Sequence, residues 1–390
     1  MERIKYIVSY DLESNKKENR LNILASTNKI NYIISVLNDS GYAVDIISTS
    51  QTLNKKCYKG HRGRFGCNTI RWFPTTWRGR AVLKVINVLV MRFSILLYLL
   101  NSIKRNEKII IYHSIGNLWM LPILKKIKKA FIIEEVEEIF SKKEKVPKMK
   151  TSKKEKKMLQ CASAYIYPTK LLDNIVNKNN KPYVVVHGAY KDNSKDFFID
   201  DVMDESSNFD KDIFHVGYTG ILDPKKGCIN ILMSAKYLDS SFHIHLLGFG
   251  NAEEVDAVEK IVNEYRSNST IKCKVSYDGV RRGEAYVKYL KKLNLGVCPV
   301  DASQDFINTQ FPSKVITYLV SGLPVLCSEA KSVMSSDVAD AIMFYKGNSP
   351  QHIANAIMEF KENQKLTDPT ELIRQCDKNF RKHLLAIIKD

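Results

Sequence analysis

The stretch Phe311-Pro-Ser-Lys-Val-Ile-Thr-Tyr-Leu-Val-Ser-Gly-Leu-Pro-Val325 reads as a loop, a short helix and a buried strand. Pro312 suits the first helical position, where its missing N–H is unpaired in any case, and Gly322 suits the C′ position just past the end. Leu323 to Cys327 then form an apolar run of buried-strand type. The N–H groups of Ser313 and Lys314 would leave the helix start beside a cationic side chain, an arrangement that attracts an anion. An ordinary loop–helix–strand unit of an α/β protein shares this outline, so the rest of the chain has to decide.

Working towards the N-terminus of this stretch, a βα series repeats. Phe214–Tyr218 leads into Thr219-Gly-Ile-Leu-Asp-Pro-Lys-Lys-Gly227 and a helix, and His243–Leu247 leads into Gly248-Phe-Gly250 and a second helix. Ile271–Val275 leads into Ser276-Tyr-Asp-Gly279 and a third helix, and Leu295–Pro299 leads back to the opening motif. Strands that end in glycine-containing loops and open helices put ligands outside the carboxyl ends of a parallel sheet. The N-terminal half has the same rhythm: strands at Ile4–Ser9, Tyr42–Ser48, Ile109–Tyr112, Ala130–Ile133, Tyr165–Pro168 and Tyr183–His187, with a helix over Lys29–Ser40. Ala81–Ile103 is strongly apolar but interrupted by Lys84, Asn87 and Arg92, so it reads as a buried or interfacial helix. Residues 191–211 are polar and aperiodic, and Pro369–Ile388 is helical.

With 390 residues, two domains are expected. The boundaries read as 1–195, a linker at 196–211, a second domain at 212–365 and a C-terminal helical segment at 366–390. Eight cysteines are scattered without any CxxC or Cys/His zinc spacing, which suits reduced thiols; Cys57, His61 and Cys67 share a basic loop but lack that spacing. Met1-Glu-Arg-Ile-Lys runs directly into a strand, so a cytoplasmic chain without a secretory leader is expected.

Charge divides unevenly. Residues 1–195 carry 37 Lys+Arg against 15 Asp+Glu, whereas the remainder carries 23 against 27. No acidic residue occurs from Ile46 to Asn106, and Lys142 to Lys157 holds nine lysines. Such a half-chain implies an anionic partner: a phosphorylated substrate, an acidic membrane surface or nucleic acid. Nucleic acid is not expected, because no recognised module or aromatic-interleaved basic motif is present.

In order and spacing, Gly220-Ile-Leu-Asp-Pro-Lys-Lys-Gly227, Leu247-Gly-Phe-Gly250, Gly279-Val280 and the Phe311–Val325 motif resemble the nucleotide-sugar domain of GT-B glycosyltransferases. The resemblance is to the retaining family 4, of capsular and exopolysaccharide type. Ser26–Tyr32, Ile111–Ser114, Glu134–Phe140 and Val184–Tyr190 resemble the acceptor domain of such enzymes. The resemblance implies an α/β fold of two Rossmann-like domains facing a cleft, with the C-terminal helix packing back towards the N-terminal domain.

It also implies sugar transfer from a nucleotide-diphosphate donor to a phosphorylated, lipid-linked or polysaccharide acceptor in bacterial surface-glycan synthesis. The protein would work peripherally on the inner face of the cell membrane, with the anionic surface as partner. Donor contacts are expected at Gly220, Lys226, Gly248, Gly250, Val280, Asn308, Ser313, Lys314 and Thr317. Lys226 would neutralise the departing diphosphate. No cofactor and no metal are expected, since no Asp-x-Asp motif follows a strand.

The pattern departs from the family at its paired glutamates, which fall on Thr309 and Thr317, and at a frequent arginine, replaced by Ile221. The family's N-domain histidine falls near Glu134–Glu138, so Glu135 or Glu138 is the expected catalytic group, with His113 as the alternative. Lys29 and His187 are the candidate acceptor contacts. The missing glutamates also fit a different class, a non-catalytic glycosyltransferase-like subunit that stabilises an active partner.

Overall fold

A computed structural model describes the chain except for residues 22–23, 78, 80, 140–154, 192–208, 301–308, 364–366 and 390. Most of the Lys142–Lys157 run, most of the expected linker, and Asn308 lie outside the described residues. The chain divides into two compact units, Met1–Val186 with Asn379–Asp390, and His187–Lys378.

The first unit is built on an eight-stranded sheet. Its strands are β1 (Glu2–Val8), β2 (Tyr42–Ser48), β3 (His61–Phe65), β4 (Asn68–Trp72), β5 (Lys108–Tyr112), β6 (Phe131–Glu135), β7 (Ala164–Tyr167) and β8 (Tyr183–Val185). Their order is β3-β4-β2-β1-β5-β6-β7-β8, parallel except for the β3–β4 hairpin. That hairpin occupies a segment whose basic composition reads as loop. It forms because Ile70 and Trp72 alternate inward on β4 while the arginines of β3 face solvent.

The helix Leu24–Asp39 begins before the expected start at Ser26–Lys29 and packs Ile30, Ile33, Ile34 and Leu37 against the sheet. The helix Ala81–Ser102 buries Met91, Ile95, Leu96 and Leu99. Its other face leaves Val82, Val85, Ile86, Leu89, Phe93 and Leu97 exposed at helical spacing.

The second unit has a six-stranded parallel sheet: β9 (Phe214–Ile221), β10 (Phe242–Phe249), β11 (Lys274–Tyr277), β12 (Leu295–Cys298), β13 (Val325–Ser328) and β14 (Ile342–Tyr345). Its order is β11-β10-β9-β12-β13-β14, the doubly wound order in which strand direction of addition reverses between β9 and β12. The last strand and the helix Pro350–Asn363 that covers it were not read from the sequence pattern.

Helix Lys314–Val320 ends as anticipated. Gly322 has φ +74°, its N–H donates to Leu319 and that of Leu323 to Tyr318, which completes a Schellman cap. The start differs: Pro312 lies one residue ahead of the N-cap Ser313, which has helical backbone angles and no capping side-chain bond.

The final helix, Pro369–Lys389, runs from the second unit into the first. Within the first unit Phe380 packs on Tyr32, Arg381 pairs with Asp39 at 2.9 Å, and the Ile388 carbonyl accepts from Lys108 at 2.7 Å.

Candidate functional site

In the second unit, the reversal of strand order leaves the carboxyl end of β9 open to the loops that follow it. Gly220, the last residue but one of this strand, has φ +133°, and a β-carbon on its neighbour Gly248 would fall 1.8 Å from the Gly220 carbonyl oxygen. The Gly248 N–H donates to Gly279 at 2.8 Å, tying the loop before Val280 to β10. Val280 is exposed. Gly250 precedes Asn251, whose side chain and Glu254 form a capping box on helix Ala252–Ser267.

Two lysines converge here. Lys226 closes a single turn after β9, its N–H donating to Asp223 at 2.8 Å. Lys314 opens its helix, and its Nζ stands 3.7 Å from the centre of the Tyr218 ring and 3.5 Å from where a Gly220 β-carbon would be. Burial pushes Lys314 down to about 8, the Cys298 thiol opposes this, and the Lys226 charge adds to it. Among the described residues neither ammonium forms an ion pair with a carboxylate. Two mutually repelling cations beside backbone without side chains are an arrangement that suits a polyanion.

Other residues singled out in this unit are differently placed. The Thr317 hydroxyl donates back to the Ser313 carbonyl at 3.2 Å, and Ser313 is exposed. Thr309 is buried. His187 belongs to the second unit, with its ring 4.6 Å from Phe311 and its Nε2 3.6 Å from Asp337.

In the first unit the reversal falls between β1 and β5, and the candidate acids sit at the carboxyl end of the adjoining β6. Glu134 and Glu135 are the last residues of that strand, both fully buried. The Tyr6 hydroxyl donates to Glu135, and Lys29 pairs with Glu137 while lying 3.8 Å from Glu135. Lys29 is thus bound to carboxylates of its own unit. Burial is the largest influence on Glu135 and raises it to about 8; Lys29 works against this and Glu137 with it. His113 donates its backbone N–H to the Glu135 carbonyl at 2.8 Å, and its buried ring lies 3.4 Å from Glu155. Burial holds the ring down to about 4 despite that carboxylate. Glu137 and Glu138 remain half-buried.

Sequence reasoning missed Tyr6 and Glu137. Tyr6 is hidden in the apolar run of β1, and its only signal is a hydroxyl on an inward position.

No family model matches the chain, and no curated protein matches it in sequence. Solved structures match over its whole length. Sucrose-phosphate synthase from Thermosynechococcus elongatus is 16% identical with a TM-score of 0.65, covering 100% of this chain and 95% of that one. The UDP-forming α,α-trehalose-phosphate synthase from Burkholderia vietnamiensis is 9% identical with a TM-score of 0.66, covering 100% of both chains. Anabaena HepE in complex with UDP is 11% identical with a TM-score of 0.60, covering 100% and 98%. Likeness at this identity establishes the fold. The chain has the GT-B architecture of two Rossmann-like domains.

The raised Glu135 makes stability depend on pH with a definite sign. Its folded value lies above the ordinary carboxyl value of 4.5, so its stabilising proton is fully held at low pH and lost as pH rises through about 8. His113 is neutral in both states above about pH 7.5 and drops out there. Relative to Glu135→Gln, which keeps the same His113, the urea midpoint of the wild type should therefore fall from about pH 5 to 8 and level off above that. Parallel profiles would remove the assignment.

Proposed function

We propose that this chain transfers a sugar from a nucleoside-diphosphate donor to a phosphorylated or lipid-linked glycan acceptor, as the resemblance to retaining family 4 implies. The observation that carries the reading is the convergence of Lys226 and Lys314 on the open end of β9 beside Gly220 and Gly248. It is supported by the matching structures, one described as UDP-forming and another as holding UDP. In this reading the bond between the sugar and the diphosphate breaks and the acceptor oxygen bonds the sugar carbon. The diphosphate leaves with its electron pair between the two ammonium groups, which take the role a metal plays elsewhere. The acceptor hydroxyl gives its proton to a carboxylate at the end of β6. Glu138, half-buried where Glu135 is fully buried, is the group assigned this role. Glu135 orients the segment through Tyr6 and Lys29.

The acceptor half also suits an anionic lipid surface on the cytoplasmic side. The exposed stripe Val82, Ile86, Leu89, Phe93 and Leu97 is apolar enough to enter a headgroup layer. Beside that helix, a depression of about 820 Å³ is lined by Arg62, Arg64 and Arg71, with the Arg71 guanidinium 4.4 Å from the Tyr98 ring. Arginines placed so can take lipid phosphates, each contributing about 1 kcal/mol of attraction near the surface. A role in bacterial surface-glycan synthesis accords with such a lipid-linked acceptor.

One observation favours a second reading, a non-catalytic subunit. Where the family has two glutamates, this chain has a buried Thr309 and a Thr317 whose hydroxyl is engaged with its own helix.

Three measurements test these readings. Charge-assisted contacts to phosphate contribute about 1.5–3 kcal/mol each. Lys226→Ala and Lys314→Ala should therefore each weaken calorimetric UDP or GDP binding by roughly tenfold or more, and unchanged affinity in both would refute the donor site. Glu138→Gln should depress transfer by about 10²–10⁴-fold with donor binding intact; nucleotide binding without transfer by the wild type from any donor in a panel would favour the subunit reading. Leu89→Asp combined with Phe93→Asp should abolish co-sedimentation with anionic vesicles at low salt. Equal wild-type binding to neutral vesicles would speak against the electrostatic part.

A further inference from the structure

Three histidines of the second unit meet on the face of its sheet away from the main apolar core. His215 on β9 stands in register with His243 on β10, and His245 follows two residues later, so all three side chains share one face. One ring nitrogen from each lies within 4.8 Å of the others. His215 and His245 are buried, and Phe209 stacks on the His245 ring at 4.8 Å.

Hydrogen bonds hold the rings in place. His215 Nε2 lies 2.9 Å from the Asp210 carbonyl oxygen, which only accepts, so Nε2 is the donor. His245 Nδ1 lies 2.9 Å from the Asp278 carboxylate, which also receives the Tyr289 hydroxyl and, at 3.1 Å, that of Ser276. The Tyr289 and Ser276 hydroxyls lie 3.0 and 3.2 Å from the same His245 nitrogen, and His215 Nδ1 and His245 Nε2 face each other 2.9 Å apart. The outer partners, one backbone carbonyl and one carboxylate, are those that orient metal-bound imidazoles. His243 supplies a third nitrogen, and its Nε2 is 3.1 Å from Ser276 Oγ. Lys274 stands opposite His243 on β11.

We infer that His215, His243 and His245 bind a divalent transition-metal ion of the zinc type. Three imidazoles with an open fourth position suit such an ion. The site lies towards the amino ends of β9 and β10. His243 precedes Gly248 by roughly 16 Å of extended strand at about 3.3 Å per residue. The ion is therefore a structural clamp that holds the segment Phe209–His215 onto β10 and β11, and takes no part at the phosphate-binding end of the sheet.

The test uses the full chain, freed of metal by a chelator and then dialysed. Titration with zinc sulfate should show one site per chain, and cobalt(II) should give the visible absorption of a nitrogen-ligated ion. Zinc should raise the melting temperature. His243→Gln, at a partly exposed position, should weaken zinc binding at least tenfold while UDP affinity stays unchanged. Asp278→Asn should weaken it about 10–100-fold through the His245 orientation. Absence of zinc uptake, or uptake equal in wild type, His243→Gln and His215→Gln, would overturn the site.

Discussion

Strands β9 and β10 come so close at Gly220 and Gly248 that the second position excludes any β-carbon, and the first has a backbone angle that side chains rarely adopt. The rest of the second unit's site follows from this contact. It leaves the carboxyl end of β9 as bare backbone, and it keeps empty the space beside Gly220 into which Lys314 reaches. The same closeness holds the Gly279 carbonyl against Gly248, which fixes the loop that bears Val280.

Each unit places charge where burial penalises it, at the carboxyl end of its parallel strands. Lys314 is depressed by its surroundings and by a second cation, and the Tyr218 ring face gives only part of the compensation water would. Glu135 is raised by burial, with a tyrosine hydroxyl and a lysine as its counterweights. Lys314 thus lacks a carboxylate partner among the described residues, whereas Glu135 is compensated within its own unit.

Much of the fold was legible because its signals are local. The glycine past helix Lys314–Val320 and the alternation of apolar strands with helices are written in neighbouring residues, and they gave the parallel sheets. The β3–β4 hairpin was not legible, since its arginines masked a period-2 pattern carried by only Ile70 and Trp72. The strand character of Glu134 and Glu135 was hidden for the opposite reason: four acids in five residues look solvated, and only the pairing of β6 between β5 and β7 buries two of them. The histidine cluster needed register. His243 and His245 share a face by spacing alone, but His215 joins them only through the pairing of β9 with β10.

The last helix gives the first unit an unusual history. Phe380, Arg381 and the Ile388 carbonyl complete contacts with Tyr32, Asp39 and Lys108, yet they leave the ribosome only after the whole second unit has been synthesised. Domains of a growing chain ordinarily fold in order of emergence. Here the earlier unit must wait, with the Tyr32 surface uncovered, for the later one to be made. A nascent chain stalled before Asn379 would therefore present an unfinished first unit to chaperones, even though residues 1–186 had all been translated.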